Sequence, residues 1–176
     1  AVATFSYTGT PYCTNGTNPS PSFSGGGTAG NFTSTLGLAI NAGSGLVDLA
    51  SSTAGTYTVT NTIVATGGCA QVVETSSITI DPAPVATFSY TGSPFCSNTT
   101  NPSPTFSGGG VAGTFTSTLG LAINAGSGLV DLASSTAGTY TITNTIAANG
   151  SCAQVVETAN ITITDPAVAT FSYTGT

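Results

Sequence analysis

The 176-residue sequence contains no lysine, arginine or histidine, and six acidic residues give it a formal net charge of −6. Proteins that bind nucleic acids place cationic side chains against phosphates, and attachment to anionic lipid surfaces requires the same cations. The sequence therefore excludes nucleic-acid binding. No apolar run approaches the roughly 20 residues that a membrane-spanning helix needs, so we also expect no membrane insertion.

The missing bases also argue against catalysis. Nucleophilic and hydrolytic mechanisms usually need a base with a pKa near neutrality or a cationic stabiliser, and the sequence offers only carboxylates. Asp48 and Glu74 are the one pair that could serve, yet they fall on different predicted strands of a repeated unit. We interpret both as structural and expect no enzyme activity.

A metal cofactor is not expected either. Four cysteines without a CxxC pair, and without histidine, supply too few ligands for zinc. Calcium prefers oxygen ligands, which makes four aspartates weak candidates: Asp48, Asp81, Asp131 and Asp165. Because the sequence has no cluster of carboxylates, we favour these residues as hydrogen-bond acceptors in turns, with calcium as the open alternative.

What the sequence does contain is a repeat. Val2 recurs as Val85 and Val168 at a constant offset, and the run from Phe32 to Thr58 reappears unchanged as residues 115–141. Such self-similarity is typical of repeat arrays. We predict one domain over residues 1–83 and a second over 84–166. Residues 167–176 repeat AVATFSYTGT and are predicted to be the first strand of a third repeat.

Short alternating apolar runs separated by Gly, Pro and Asn predict strands. Each copy has seven such runs and no helical periodicity, which is typical of an immunoglobulin-like β sandwich. The all-β prediction places strands in repeat 1 at residues 3–8, 21–25, 30–36, 38–41, 45–50, 55–65 and 69–80. Residues 65–69 should form a hairpin turn.

Two details of the strands follow from side-chain alternation. Tyr57, Val59 and Ile63 should face the core, and the threonines between them should face outward: Thr56, Thr58, Thr60 and Thr62. The final strand breaks its alternation at Glu74, which predicts a bulge there. An outward threonine row raises the alternative of ice or crystalline-surface binding, although ordinary solvent exposure explains it equally well.

Each copy has two cysteines, one near its beginning and one at the start of its last predicted strand. A disulfide within each domain, Cys13–Cys69 and Cys96–Cys152, would stabilise a domain of this size by roughly 4 kcal/mol, and it would place the protein in an oxidising compartment. Two buried free thiols per domain are the alternative.

The runs FSYTGTPYC, PSFSGGG, INAGSGLVDLASSTAGTYTVT and GGCAQVVET resemble the tandem Ig-like repeats of giant secreted surface adhesins of Bacteroidota, the SprB-like gliding and surface adhesins. The resemblance covers the whole sequence. It implies export by type IX secretion, an extracellular location at the cell surface, and a role as stalk or filament.

The leading functional hypothesis is a structural stalk repeat that presents adhesive regions away from the cell. The alternative is a low-affinity, multivalent module that binds polysaccharide or another surface. Expected partners are neighbouring repeats and, by lateral or end-to-end association, further copies. A further alternative for assembly is that the strand AVATFSYTGT pairs with the sheet of the preceding domain instead of its own.

Overall fold

The computed structural model of the chain describes residues 1–174. The chain forms two compact units. Unit 1 contains residues 1–83 together with 148–153, and unit 2 contains residues 84–147 and 154–176. The division follows the sequence repeat with one exception, the segment 148–153, which comes from the second repeat and belongs to the first unit.

Each repeat contributes eight strands. Those of repeat 1 are β1 (Phe5–Ser6), β2 (Tyr12–Cys13), β3 (Ser22–Phe23), β4 (Asn31–Ser34), β5 (Ala39–Ile40), β6 (Val47–Asp48), β7 (Gly55–Ile63) and β8 (Val72–Asp81). Those of repeat 2 are β9 (Phe88–Ser89), β10 (Phe95–Cys96), β11 (Thr105–Phe106), β12 (Thr114–Ser117), β13 (Ala122–Ile123), β14 (Val130–Asp131), β15 (Gly138–Ile146) and β16 (Val155–Thr164). Along residues 1–174 there is no helix that could cross a membrane.

The four-stranded sheet of unit 1 has the order β2-β8-β7-β4, and two small sheets, β1-β3 and β5-β6, accompany it. Strands β4, β7 and β8 are antiparallel, whereas β2 runs parallel to the end of β8. Repeat 2 has the same arrangement, with sheet order β10-β16-β15-β12. The all-β, immunoglobulin-like sandwich prediction is therefore confirmed, with one strand more per repeat than the sequence indicated.

The core of unit 1 lies between these sheets and follows the predicted alternation. Tyr57 and Val59 of β7 are buried, and they pack with apolar residues from the other strands: Phe5, Tyr7, Phe32, Leu38, Val47, Leu49, Ile78 and Ile80. Ile63, at the end of β7, is only half-buried. The threonines of β7 point to the other side of the sheet, as the sequence predicted.

A tyrosine corner closes the start of β7. The Tyr57 hydroxyl donates a hydrogen bond of 2.8 Å to the Thr53 carbonyl oxygen and lies 2.6 Å from the Thr53 hydroxyl. Tyr140 makes the corresponding bond to Thr136, at 2.7 Å. A tyrosine at the start of this strand, bonded to backbone a few residues upstream, is a hallmark of immunoglobulin-like sandwiches.

The predicted bulge near Glu74 is wrong. Strands β7 and β8 pair without interruption from Gly55 opposite Ile80 to Ile63 opposite Val72, which places Glu74 opposite Asn61. The alternation of β8 fails for a different reason: residues 73–75 are exposed. Beyond the core, a strand needs no apolar face, so the Glu74 carboxylate can stay in contact with water there.

The predicted hairpin turn at residues 65–69 is confirmed. Thr66 and Cys69 form an isolated bridge, and the Cys69 amide donates to the Thr66 carbonyl oxygen at 3.0 Å. Gly67 and Gly68 have φ values of 55° and 85°. Positive φ at both central residues is the requirement of a type I′ turn, and glycine meets it without steric cost.

The first strand of each repeat pairs within its own repeat, β1 with β3 and β9 with β11. The alternative in which this strand joins the preceding domain is therefore wrong for both repeats. Residues 167–174 form no strand, and Phe171 and Tyr173 are 82% and 91% exposed. That residues 167–176 begin a third repeat stays a prediction, and Gly175 and Thr176 lie outside the described residues.

Candidate functional site

A disulfide joins cysteines of different repeats. Cys13, at the end of β2, is bonded to Cys152, with a Cα–Cα distance of 5.0 Å and a sequence separation of 139 residues. Both cysteines are buried and both belong to unit 1, because Cys152 lies in the segment 148–153. The predicted pairs Cys13–Cys69 and Cys96–Cys152 are therefore wrong.

Strand length explains why the pairing within a repeat fails. Cys13 lies opposite Asp81, the last residue of β8, whereas Cys69 precedes Val72, the first residue of that strand. Ten residues of antiparallel strand span about 30 Å, and a disulfide requires Cα atoms within about 7 Å. The two cysteines of one repeat thus lie at opposite ends of its longest strand.

The segment 148–153 has a local structure that presents its cysteine. Asn149 and Cys152 form a bridge with two backbone hydrogen bonds, of 3.0 and 3.1 Å. The Cys152 sulfur lies 3.6 Å from the Pro82 carbonyl oxygen. Across the disulfide, the Thr14 amide donates to the Asp81 carbonyl oxygen at 3.0 Å. Both sulfur atoms are therefore attached to hydrogen-bonded backbone.

Cys69 and Cys96 have free thiols, and their surroundings differ. Cys69 is exposed at the last position of the type I′ turn, and Cys96 is half-buried at the end of β10. The expectation of one disulfide in each domain is corrected by this arrangement: within residues 1–174, a single bond uses one cysteine from each repeat.

The outer face of the large sheet of unit 1 carries threonine and serine hydroxyl groups on three strands, and we call it the hydroxyl face. In the sheet of unit 2, Asn160 takes the place of Ser77. In unit 1, the register aligns Thr56 with Thr79, Thr58 with Ser77, and Thr60 with both Thr75 and Thr33. Thr56 and Thr79 have their hydroxyl oxygens 3.0 Å apart. The sequence pattern identified only the β7 row, because the register that adds rows from β4 and β8 is a tertiary property.

The aspartates considered for calcium are dispersed. Asp48 accepts hydrogen bonds from the Ser51 hydroxyl at 2.7 Å and the Ser51 amide at 3.4 Å, and these bonds lower the pKa of its carboxyl group. Asp131 and Ser134 repeat the arrangement. These contacts are those of the turn acceptor predicted for Asp48 and Asp131. Asp81 ends β8, and Asp165 lies just beyond β16.

The acidic residues also do not converge. Asp48 lies in β6, whereas Glu74 lies in the exposed part of β8. In the part of the chain that the structure describes, no three acidic or cysteine side chains are grouped so that they could hold a metal ion.

Asn61 is the structural residue that sequence reasoning missed. Its side chain is fully buried in β7, where the amide nitrogen donates to the carbonyl oxygens of Ala3 and Thr28 at 3.0 and 2.9 Å. Its amide oxygen accepts from the Gly30 nitrogen at 2.8 Å. An asparagine in the core-facing position of the TYTVTNTI alternation was the available signal.

No protein-family model matches the sequence, and no curated protein matches it. Among solved structures, Drosophila N-cadherin EC1-4 is 11% identical with a TM-score of 0.43, covering 93% of this chain and 48% of that one. A SusE-like surface-located polysaccharide-binding protein from Bacteroides thetaiotaomicron is 14% identical with a TM-score of 0.33, covering 93% and 34%. Human protocadherin-24 EC1-2 is 14% identical with a TM-score of 0.35, covering 78% and 82%. The chain spans about half of the first of these proteins and a third of the second, and the similarities are too distant to assign a family or a ligand to it.

Proposed function

We propose that these repeats are load-bearing segments of an extracellular adhesin stalk or surface filament and have no catalytic role. The observation that carries the proposal is the Cys13–Cys152 bond, which encloses most of the chain in one covalent loop. A pulling force applied at the two ends passes through this bond and bypasses the chain between the cysteines. Such an arrangement suits a spacer that must keep its length under tension.

The composition supports the same proposal. The chain has no lysine, so it cannot form the lysine–asparagine isopeptide cross-links by which other surface fibres resist extension. Resistance must come from the sheets and the disulfide. A disulfide also persists only in an oxidising compartment, which supports a location outside the cytoplasm. Attachment to a bacterial cell surface, and export by type IX secretion, follow only from the sequence resemblance.

Single-molecule force spectroscopy tests this function, with the chain held by its two ends. In the oxidised protein, we expect unfolding to release only the segments outside the loop. Reduction should release the loop, whose sequence separation of 139 residues corresponds, at about 3.6 Å per residue, to about 50 nm of contour length.

The matched control is Cys69→Ser, which leaves the loop intact and should behave like the parent chain. Cys13→Ser should give the long extension without any reductant. If the oxidised parent chain already extends by the full length of all its residues, the load-bearing proposal is wrong.

A second candidate function is supported by the hydroxyl face. Its threonine and serine side chains are uncharged donors and acceptors, spaced about 6.8 Å along a strand and about 4.8 Å between strands. Such a surface suits neutral polysaccharide, whose hydroxyl groups can pair with it. Binding to each repeat would be weak and would increase when several repeats attach together.

A glycan array with neutral and acidic polysaccharides separates the two functions. A binding module should retain neutral glycans and lose them in the Thr58→Val/Thr60→Val variant, because valine keeps the shape and strand preference of threonine but lacks the hydroxyl. The control Thr17→Val changes an exposed threonine outside the hydroxyl face. A blank array would exclude the binding function and leave the stalk function in place.

A further inference from the structure

We infer that Cys96 and Cys69 each form a disulfide with a cysteine of another copy of this repeat, in the same way that Cys13 bonds to Cys152. Cys96 is the repeat counterpart of Cys13, and Cys69 is that of Cys152. The inference does not depend on an adhesive role. It requires only the bond in unit 1 and the repetition of the sequence.

Cys96 has the same backbone setting as Cys13. Strand β10 pairs in parallel with the end of β16, with Cys96 opposite Thr164, just as Cys13 lies opposite Asp81. The next amide also makes the same bond, since the Ser97 nitrogen donates to the Thr164 carbonyl oxygen at 2.9 Å. The backbone around Cys96 in repeat 2 therefore already has the arrangement that surrounds the bonded Cys13.

Cys69 occupies the same position in a four-residue turn as Cys152, although the turns differ, since Gly67 and Gly68 both have positive φ whereas in the second turn only Gly150 does. Each is the last residue of a bridged four-residue turn, Thr66–Cys69 and Asn149–Cys152, and each donates its amide to the first residue of that turn at 3.0 Å. The difference is that Cys152 is bonded and buried whereas Cys69 is exposed. Repeat 1 therefore also presents a turn cysteine for such a bond, and this cysteine is free.

No cysteine of its own repeat can bond to Cys96 or to Cys69. Cys96 lies at the end of β16, and Cys152 precedes the beginning of that ten-residue strand, so about 30 Å of strand separates the two positions. Cys69 and Cys13 are separated by β8 in the same way. The fitting partner for Cys96 is therefore the turn cysteine of another repeat, presented as Cys152 is presented to Cys13.

The chemistry is thiol–disulfide exchange with a small-molecule disulfide such as oxidised glutathione. A thiolate of one cysteine attacks the small disulfide and displaces one thiol, and the second cysteine then attacks the mixed disulfide and displaces the other. One protein disulfide forms, two thiol protons are lost to water or to the leaving thiolates, and one small disulfide is reduced to two thiols.

Successive bonds of this kind would close covalent loops that overlap along the chain. Cys96 lies within the loop that Cys13 and Cys152 close, so a bond from Cys96 to a following repeat would begin inside the loop made by the bond before it. An array of N repeats would then hold N − 1 disulfides and two unpaired thiols, whatever its length. Bonds confined to single repeats would instead give N disulfides and no thiols.

The test is a chain lengthened by one repeat, with a copy of residues 1–83 inserted after Pro166, oxidised with a glutathione buffer and analysed by non-reducing peptide mapping. We expect Cys13–Cys152 and a second bond from Cys96 to the counterpart of Cys69 in the added copy. Thiol titration should find two free thiols in the lengthened chain and two in the original chain.

The matched control is Cys96→Ser in the lengthened chain, which should lose the second bond, keep Cys13–Cys152 and leave three free thiols. Bonds between the two cysteines of one repeat, or four free thiols in the oxidised lengthened chain, would overturn the inference. Four free thiols would leave Cys13–Cys152 and the stalk function in place, whereas bonds within single repeats would remove Cys13–Cys152 and count against both proposals. The force experiment on the original chain distinguishes the two cases.

Discussion

The side-chain amide of Asn61 donates a 3.0 Å hydrogen bond to the carbonyl oxygen of Ala3, near the beginning of the chain. With its bonds to Thr28 and Gly30, this amide ties the segment before β1 and the loop before β4 to β7, an inner strand of the sheet. Within the described residues, no buried side-chain nitrogen or oxygen lacks a hydrogen-bond partner. Asn61 thus supplies backbone partners that the sheets do not.

We expect Asn61→Leu to destabilise unit 1 by about 3 kcal/mol, because a leucine of similar size would leave several buried backbone groups without partners. Urea denaturation followed by circular dichroism measures the change. The exposed Asn15 provides the control, and Asn15→Leu should change the stability by no more than about 0.5 kcal/mol. Equal effects of the two substitutions would contradict the role assigned to Asn61.

The tyrosine corner predicts that removing the Tyr57 hydroxyl destabilises the protein more than removing the Tyr12 hydroxyl. Tyr57→Phe removes a hydroxyl that bonds to Thr53 in a largely buried setting, so we expect a loss of about 1–2 kcal/mol. Tyr12→Phe removes the hydroxyl that bonds to Thr8 at an exposed position, where water replaces the partner, and the loss should be much smaller. Thermal unfolding of the two variants measures the difference, and a reversed order would count against the corner.

A methyl group at Gly30 would meet the Thr62 backbone. A Cβ built there would lie 2.2 Å from the Thr62 carbonyl oxygen, a distance that requires β4 and β7 to separate. We expect Gly30→Ala to destabilise unit 1 by about 2 kcal/mol or more, in the range of severe backbone conflicts. The control is Gly43→Ala, whose Cβ would meet only the Asn41 side chain, at 3.6 Å. Comparable melting temperatures for the two variants would refute this prediction.

Stability should fall in alkaline solution because of Tyr7. Burial raises the pKa of this phenol to about 12, and its hydroxyl donates to the Gly45 carbonyl oxygen at 2.5 Å. The unfolded chain ionises its tyrosines near pH 10, so the stabilisation from a neutral Tyr7 is complete below pH 10 and is lost as the pH rises from 10 to 12. Tyr90 in repeat 2 has a pKa raised to about 12 as well.

Denaturation curves across this pH range test the assignment. The loss should approach about 1–2 kcal/mol for each tyrosine by pH 12, after allowance for solvent screening of these partly accessible phenols. The Tyr7→Phe/Tyr90→Phe variant should be less stable at pH 8, because it lacks the hydrogen bonds, but its stability should change much less between pH 10 and 12. A variant with the same alkaline slope as the parent chain would assign the titration to other groups.

Much of the fold could be read from the sequence because alternation is a local property. The seven longer strand signals and the inward set on β7 depend on residues a few positions apart, and the repeat is visible by comparing the chain with itself. Strand β2 gave no such signal, since it consists only of Tyr12 and Cys13. Its existence depends on β8, which lies at the other end of the repeat.

The disulfide pairing could not be read from the sequence for a different reason. In a repeat, Cys69 and Cys152 are equivalent as partners of Cys13, and their spacings along the chain do not distinguish them. The length of β8 does distinguish them, because it separates Cys13 from Cys69. The length of a strand, however, does not predict which of its residues pair with β2. A register between β2 and β8 was the missing information.

The Cys13–Cys152 bond has a consequence for damage tolerance. A protease or a chemical lesion that breaks the backbone anywhere between these two residues opens the loop without dividing the molecule, since both fragments stay attached through sulfur. A break outside the loop has no such second covalent connection. The segment between Cys13 and Cys152 is thereby protected against severance by a single cut.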